Sequence, residues 1–257
     1  MIRPVYGYNM PDFKVACTLQ RIFGAKNMAS LRCYGLNSNE ASFWIAYQQQ
    51  KPIAGITLQN GVAAISSNGT IDTDELLDFC KQNNVKEIES CLEDIEKIYK
   101  RGIGEKDSSW FMEYLKKETP TNYIEMKSCH DLKDMFDVLQ KSHPFYQEHY
   151  TFETWSKDVA KRTAANESEE YILEIDGEII GCGSVGAIDE EVATVSSIAV
   201  VPEKRCHGYG SGITMFITKR ILELGRKPVL IAGYDEVAEL YVKLGFDKCG
   251  KWGELYL

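Results

Sequence analysis

The feature that most narrows what this chain can fold into is a run of elements in its last third. Val192 to Val200 is rich in β-branched residues and reads as a strand. A loop from Pro202 to His207 follows, then a helix from about Gly208 to Leu224, with Ile213, Phe216, Ile217, Ile221 and Leu224 on its apolar face. Gly225 stands where a C-terminal cap belongs. Val229-Leu230-Ile231-Ala232 is then a short continuous apolar run, as expected of a strand buried on both faces. Strand, helix and buried strand in this order predict a parallel pair joined by a crossover helix.

Hairpins precede this unit. Tyr171 to Ile175 reads as a strand, Asp176-Gly177 as a tight turn, and Glu178 to Val185 as the returning partner. Further upstream, Tyr123 to Lys127 alternates as a short strand, and Asp131 to Leu139 has helical spacing. His143-Pro144 ends that helix, and Phe152 to Val159 suggests another. Downstream, Asp235 opens a helix carrying Val237, Ala238, Leu240, Tyr241 and Leu244, which Gly245 closes. Phe246 to Leu257 supplies one or two final strands. The fold class this predicts is α/β (α+β), with a mixed central sheet flanked by helices.

The N-terminal half reads as a worn copy of the same plan. Phe43 to Tyr47, Pro52 to Leu58 and Val62 to Ser66 are three strands with tight turns. A helix opens at Asp72, Lys86 to Ser90 is a strand, and Asp94 to Arg101 is a helix. Charge and Pro120 interrupt the pattern around Lys116 to Thr121. The expected division is therefore a degenerate lobe over 1–118 and a second domain over 122–257. A length of 257 residues with 44% hydrophobic and 26% charged residues accommodates two such lobes.

A net charge of -9 repels phosphate backbones, so nucleic acid is not an expected partner, and a cationic substrate such as an amine is favoured. No apolar run approaches the roughly 20 residues that span a bilayer, and Met1 to Met10 has no apolar core of a secretory signal. No membrane partner and a cytoplasmic location are the expectations. The eight cysteines are scattered without a C-x-x-C pair, and there are four histidines, so no metal site is expected.

The chemistry concentrates in Ile198-Ala199-Val200-Val201-Pro202-Glu203-Lys204-Arg205-Cys206-His207-Gly208-Tyr209-Gly210-Ser211-Gly212, which joins the strand to the N-terminus of the helix. Unpaired amides and the helix dipole favour an anion there. Gly208 and Gly210 let the backbone come close to a bulky one, and Arg205 adds a permanent cation. This is a pyrophosphate cradle. The Lys-Ser/Thr pair of a Walker loop is missing, and the spacing is G-x-G-x-G rather than the dinucleotide fingerprint G-x-G-x-x-G.

Arg205 to Gly210 fits R-x-x-G-x-G, preceded by Val-x-Pro, and here the chain resembles the GCN5-related N-acetyltransferase (GNAT) family. Asp235-Glu236-Val237-Ala238-Glu239-Leu240-Tyr241-Val242-Lys243-Leu244-Gly245-Phe246 is similar to that family's N-x-x-A-x-x-L-Y-x-x-x-G-F helix, with Asp for Asn at the first position. The resemblance covers roughly Asn122 to Leu257. It implies acetyl-CoA as co-substrate and direct attack of a primary amine, on a small molecule or a protein, upon the thioester.

The resemblance also implies roles for individual residues. Backbone groups of Ile198 and Val200 would pair with the pantetheine arm. The amides of Cys206, His207, Gly208, Tyr209, Gly210 and Ser211, beside Arg205, would hold the pyrophosphate. Asp235 would flank the pantetheine, and Tyr241 would give a proton to the departing thiolate. An ionised Asp at 235 accepts hydrogen bonds but cannot donate them as Asn would. No base is evident: Thr194, Ser196 and Ser197 can hold a water, and Glu170, Glu174 and His149 are further candidates. The alternative is a non-catalytic acyl-CoA-binding or sensing protein. The N-terminal copy has only Ser67-Asn68-Gly69-Thr70-Ile71 at the corresponding place, so it is expected to hold no cofactor. A monomer or homodimer fits.

Overall fold

The computed structural model describes residues 1–116 and 118–257. Lys117, inside the stretch read as the boundary, lies outside the described residues. In chain order the elements are β1 (Ile2–Pro4), α1 (Met10–Cys17), α2 (Arg21–Tyr34), β2 (Ala41–Gln48), β3 (Lys51–Gln59), β4 (Val62–Ser67), α3 (Thr73–Gln82), β5 (Glu87–Cys91), α4 (Leu92–Tyr99) and β6 (Glu105–Tyr114). They continue with β7 (Lys127–Ser128), α5 (Leu132–Ser142), α6 (Pro144–His149), α7 (Phe152–Ala164), β8 (Glu169–Ile175), β9 (Glu178–Gly186) and β10 (Val192–Val200). The last are α8 (Tyr209–Glu223), β11 (Lys227–Ala232), α9 (Asp235–Leu244) and β12 (Phe246–Tyr256).

The chain packs as two compact units, one of Met1–Met112, Ile231–Glu239 and Lys248–Leu257, the other of Glu113–Leu230 and Leu240–Asp247. They do not follow the expected split into 1–118 and 122–257. The physical reason is β12, whose residues Trp252 to Tyr256 pair antiparallel with Cys91 to Glu87 of β5.

In the first unit the strand order is β1-β2-β3-β4-β5-β12. All neighbours are antiparallel except β4 and β5, which run parallel over Val62–Ala64 and Glu87–Glu89. Ile56, Ile65, Ile88, Ile95, Ile98 and Leu255 are fully buried in one cluster with Leu76 and Phe79. A second cluster joins Phe13 and Ala16 of α1 to Phe43 and Ile45 of β2. Helices α1 and α2 were not expected from the sequence. Helix α2 is buried along Ile22, Phe23, Gly24, Ala25, Asn27, Ala29, Ser30 and Leu31, so small and polar residues blur its apolar stripe. Gly24 is required there, since a Cβ would fall 1.7 Å from the Cys17 carbonyl oxygen.

In the second unit the order is β11-β10-β9-β8-β7, with β10 and β11 parallel and the other pairs antiparallel. Helix α8 lies on one face of this sheet. Cβ atoms at Gly181 and Gly183 would meet Ile213 at 2.7 and 2.8 Å, and Tyr171 packs edge-on to Phe216 at 5.1 Å. Arg220 adds a paired clamp, with Nε and Nη2 at 2.7 and 2.9 Å from the two Glu169 oxygens.

Two details of this unit differ from the sequence expectation. The strand expected over Tyr123 to Lys127 is only Lys127–Ser128. The residues before it are drawn to α8 instead: the Ile124 amide donates to the Gly212 carbonyl at 3.3 Å, and Tyr123 packs on Phe216. Second, His143-Pro144 ends α5 as expected but also starts the short helix α6. Pro144 sits at its first turn, where no amide is needed, and the His143 Nδ1 accepts from the Phe145 amide at 3.3 Å.

Candidate functional site

Strand β10 is paired with β11 only from Val192 to Thr194, against Lys227 to Val229. Beyond that the two strands part. On the other edge, the β9–β10 register shifts between Ser196 and Ala199, so β10 carries one extra residue. Ser197 takes a left-handed φ of 54° at this bulge, and its carbonyl accepts the Cys182 thiol at 3.4 Å. Ile198 is half-buried and Val200 buried at the far end of the parted stretch. A strand that leaves its parallel neighbour presents backbone groups to whatever enters the gap.

The loop that follows turns twice through left-handed backbone, at Cys206 (φ 63°) and Gly208 (φ 82°), before α8 begins. Amides of Tyr209, Gly210 and Ser211 form the first turn and have no acceptor within the helix. The space before them is open. A Cβ on Gly208 would meet nothing within 4 Å, and one on Gly210 only a Val200 methyl at 4.0 Å. No acidic residue stands in the first turn. The residues present fit a pyrophosphate group here.

The third glycine has a different task. A Cβ on Gly212 would sit 2.4 Å from Ile124 Cδ1, so Gly212 serves the packing of the 124 segment on α8. Arg205 is also employed within the protein. Its Nε donates to the Val200 carbonyl at 3.2 Å and its Nη2 to the Ser142 carbonyl at 2.5 Å. It ties the end of β10 to the C-terminal turn of α5, where a cation suits the dipole. His207 is exposed, with Nδ1 2.6 Å from the Arg205 carbonyl and its ring stacked near Tyr209. Cys206 is exposed too.

The first unit offers an internal comparison. Its β4 and β5 also part after three paired positions. There the Ser66 hydroxyl at the end of β4 is tied to the Ala16, Cys17 and Gln20 carbonyls. Helix α3 starts with Asp74 and Glu75 in its first turn, and the Asp72 carboxylate accepts the Glu75 amide at 2.9 Å. That helix end already holds its own anions.

The remaining sequence candidates are dispersed. Tyr241 in α9 is half-buried, its ring edge-on to Phe246 at 5.9 Å, and burial pushes its hydroxyl up to about 12. It stays protonated across neutral pH. Asp235 belongs to the first unit, where it accepts the Trp110 indole N–H at 2.7 Å. Glu174 is ion-paired to Lys127 at 2.8 Å, and the His149 ring packs on Phe145 at 4.7 Å. Thr194 and Ser196 share a hydrogen bond of 2.9 Å on β10.

Glu170 stands apart from these. It lies opposite Ser184 in the β8–β9 register and is hydrogen-bonded to the Ser184 hydroxyl. Burial holds its carboxyl above the ordinary range, while bonds from Ser184 and Ser168 pull the other way. Sequence reasoning missed Cys182 and Ser184 beside it, because no spacing motif marks them. Burial raises the Tyr146 phenol to about 12, against a hydrogen bond from Ser197.

A parted, bulged strand thus leads through a glycine turn into an anion-receptive helix end, within a mixed α/β sheet flanked by helices. Residues 132–246 match the acetyltransferase (GNAT) family, and this segment is a domain of that family. No curated protein matches the chain. Solved structures do match its fold. A GCN5-related N-acetyltransferase from Sphaerobacter thermophilus is similar at 12% identity, over 99% of this chain and 94% of that one, with a TM-score of 0.67. A tandem GNAT protein from the clavulanic acid biosynthesis pathway is similar at 11% identity over 99% and 97%, with a TM-score of 0.63. A GCN5-related N-acetyltransferase from Kribbella flavida is similar at 15% identity over 94% and 95%, with a TM-score of 0.62. At these identities the likeness is one of fold, and it extends over both halves of the chain. No helix among the described residues is long and apolar enough to cross a membrane.

Proposed function

We propose that this chain is an N-acyltransferase that moves an acetyl group from acetyl-CoA to a primary amine by direct attack. The observation that carries the reading is the open helix end of α8 directly after the bulged, parted β10. First-turn amides and the open faces of Gly208 and Gly210 would take the pyrophosphate. Backbone groups along Ile198 to Val200 would take the pantetheine arm, and Arg205 would hold the loop in shape from behind. Protonated Tyr241 would supply the departing sulfur with a proton. The family match over 132–246 supports acyl transfer as the chemistry. The acceptor is an amine of a small molecule or a protein. The reaction takes place in the cytoplasm, and the chain works as a monomer or homodimer.

The test is calorimetric titration with acetyl-CoA, with NAD and ATP as controls, on the wild type and Gly210→Asp. Position 210 has room for a side chain, and an acidic residue suits a helix N-terminus, so the variant keeps its fold. It should lose acetyl-CoA binding by at least about tenfold, because a carboxylate then occupies the anion site. Binding that survives in the variant, or a wild type that ignores acetyl-CoA, refutes the cradle. Acetyl-CoA bound with no CoA released to any amine makes the chain a binding or sensing protein instead.

A further inference from the structure

The face of the second unit's sheet turned away from α8 carries a row of polar side chains that the reading above does not use. Residues paired directly across antiparallel strands share a face. Glu170 of β8 is paired with Ser184 of β9, and Ser184 with Ser196 of β10. Gly183, next to Ser184, faces α8, so this row faces the other way. Ser196 bonds Thr194 at 2.9 Å. Gly186 leaves room for these hydroxyls, since a Cβ there would fall 2.9 Å from Thr194 Oγ1 and 3.0 Å from Ser196 Oγ. The row ends beside Ser197, the left-handed residue of the bulge. Tyr146 of α6 covers the same place, with Ser197, Cys182 and Glu170 all acting on its phenol.

We propose that Glu170 is the group that takes the acceptor's proton, by way of Ser184 and the hydroxyls that stand in register between it and the bulge of β10. The inference rests on the transferase reading above. The groups that face Glu170 are Ser184 and Cys182 on β9, Ser168 just before its own strand, Tyr146 on α6, Arg162 and Asp158 on α7, and Cys129 before α5. A carboxylate held above its ordinary range by burial is a stronger base than one in water, and so is better matched to an amine at neutral pH. The acceptor enters as an ammonium and leaves one N–H proton on Glu170. The freed lone pair forms the C–N bond at the thioester carbon, and the C–S bond breaks. Sulfur takes a proton from Tyr241, and the second N–H proton of the adduct restores Tyr241. One proton, the one on Glu170, passes to solvent in each turnover. The acceptor class this favours is a cationic primary amine, in keeping with a carboxylate at the end of a polar row.

The experiment compares wild type, Glu170→Gln, Glu170→Asp and Ser184→Ala. Acetyl-CoA binding is measured by calorimetry, and CoA release by thiol detection with phenethylamine, spermidine and a lysine peptide as acceptor probes. Glu170→Gln should bind acetyl-CoA as the wild type does and lose about a hundredfold or more in rate. The acidic limb of its pH–rate profile should vanish. Glu170→Asp should recover part of the rate together with the limb. Ser184→Ala should keep the limb but move it to higher pH, because the Ser184 bond stabilises the charged form. A purely structural Glu170 would lower the rate without moving the limb. An active wild type whose profile is unchanged in Glu170→Gln and Ser184→Ala overturns this proposal alone. A wild type that does not bind acetyl-CoA, or binds it and acetylates none of the probes, overturns the transferase reading and this proposal with it.

Discussion

Replacing Glu87 by Gln should stabilise the protein in mildly alkaline solution and do little in acid. Glu87 and Glu89 of β5 and Glu254 of β12 bring carboxylate oxygens within 4.8 Å of one another. Lys26 lies 2.8 Å from Glu89. Burial, then the charges of Glu89 and Glu254, raise Glu87 from 4.5 to about 7. In the unfolded chain the group returns to about 4.5, so between those values the folded state binds the extra proton. Stability is therefore fullest below pH 4.5, falls as pH rises through the window, and levels off above 7. The gap of 2.5 between those values, at about 1.36 kcal/mol per unit, corresponds to about 3.4 kcal/mol. Water reaches part of this half-buried carboxyl, which trims the cost to about 2–3 kcal/mol. Glutamine keeps the shape and cannot ionise. Urea unfolding at pH 8 should show the variant about 2–3 kcal/mol more stable, shrinking below about 1 kcal/mol at pH 5. A wild type equally stable at pH 5 and pH 8, or a variant no more stable at pH 8, would refute the argument.

Gly212→Ala should destabilise the second unit by about 1–3 kcal/mol through overpacking against Ile124, with Ile124→Ala in the same chain restoring much of the loss in thermal unfolding. Tyr241→Phe should lower kcat about tenfold to a hundredfold with little change in KM for acetyl-CoA, in thiol-release assays. Because burial puts the Tyr241 hydroxyl at about 12, the wild-type rate should show no basic limb up to about pH 10. A limb near pH 8–9 would assign the proton donor to another group.

What the sequence disclosed of this fold was what short-range chemistry encodes. A helix end that meets an anion needs glycine at fixed offsets, so Arg205 to Gly210 could be read directly, as could the Asp235–Phe246 helix. The duties of residues whose partners are distant could not. Arg205 was legible as a cation, but its bonds to Val200 and Ser142 depend on α5 arriving beside β10. Gly212 stood in the sequence only as the third glycine of a G-x-G-x-G spacing, and only the docking of Ile124 reveals its packing role. Glu170 illustrates the limit most clearly. Counting back from the Asp176-Gly177 turn, where Ile175 faces Glu178, would set Glu170 against Gly183. A bulge between Leu173 and Glu174 shifts the register by one and sets it against Ser184. Bulges leave no reliable mark in a single sequence, so the polar row stayed hidden although each of its residues was in view.

The pairing of β12 with β5 has a consequence for how the molecule comes into being. Residues 87–91 leave the ribosome about 160 residues before their partners at 252–256. At about 5–20 residues per second, the outer edge of β5 waits on the order of ten seconds or more with unpaired amides and carbonyls. An open strand edge during that interval invites pairing with neighbouring nascent chains. Glu87 and Glu89 stand on that edge, and two copies brought together there would oppose carboxylate to carboxylate. The same carboxylates whose burial beside one another weakens the finished protein above neutral pH thus guard the unfinished one by their charge, until a strand from the same chain brings Leu255 into the core.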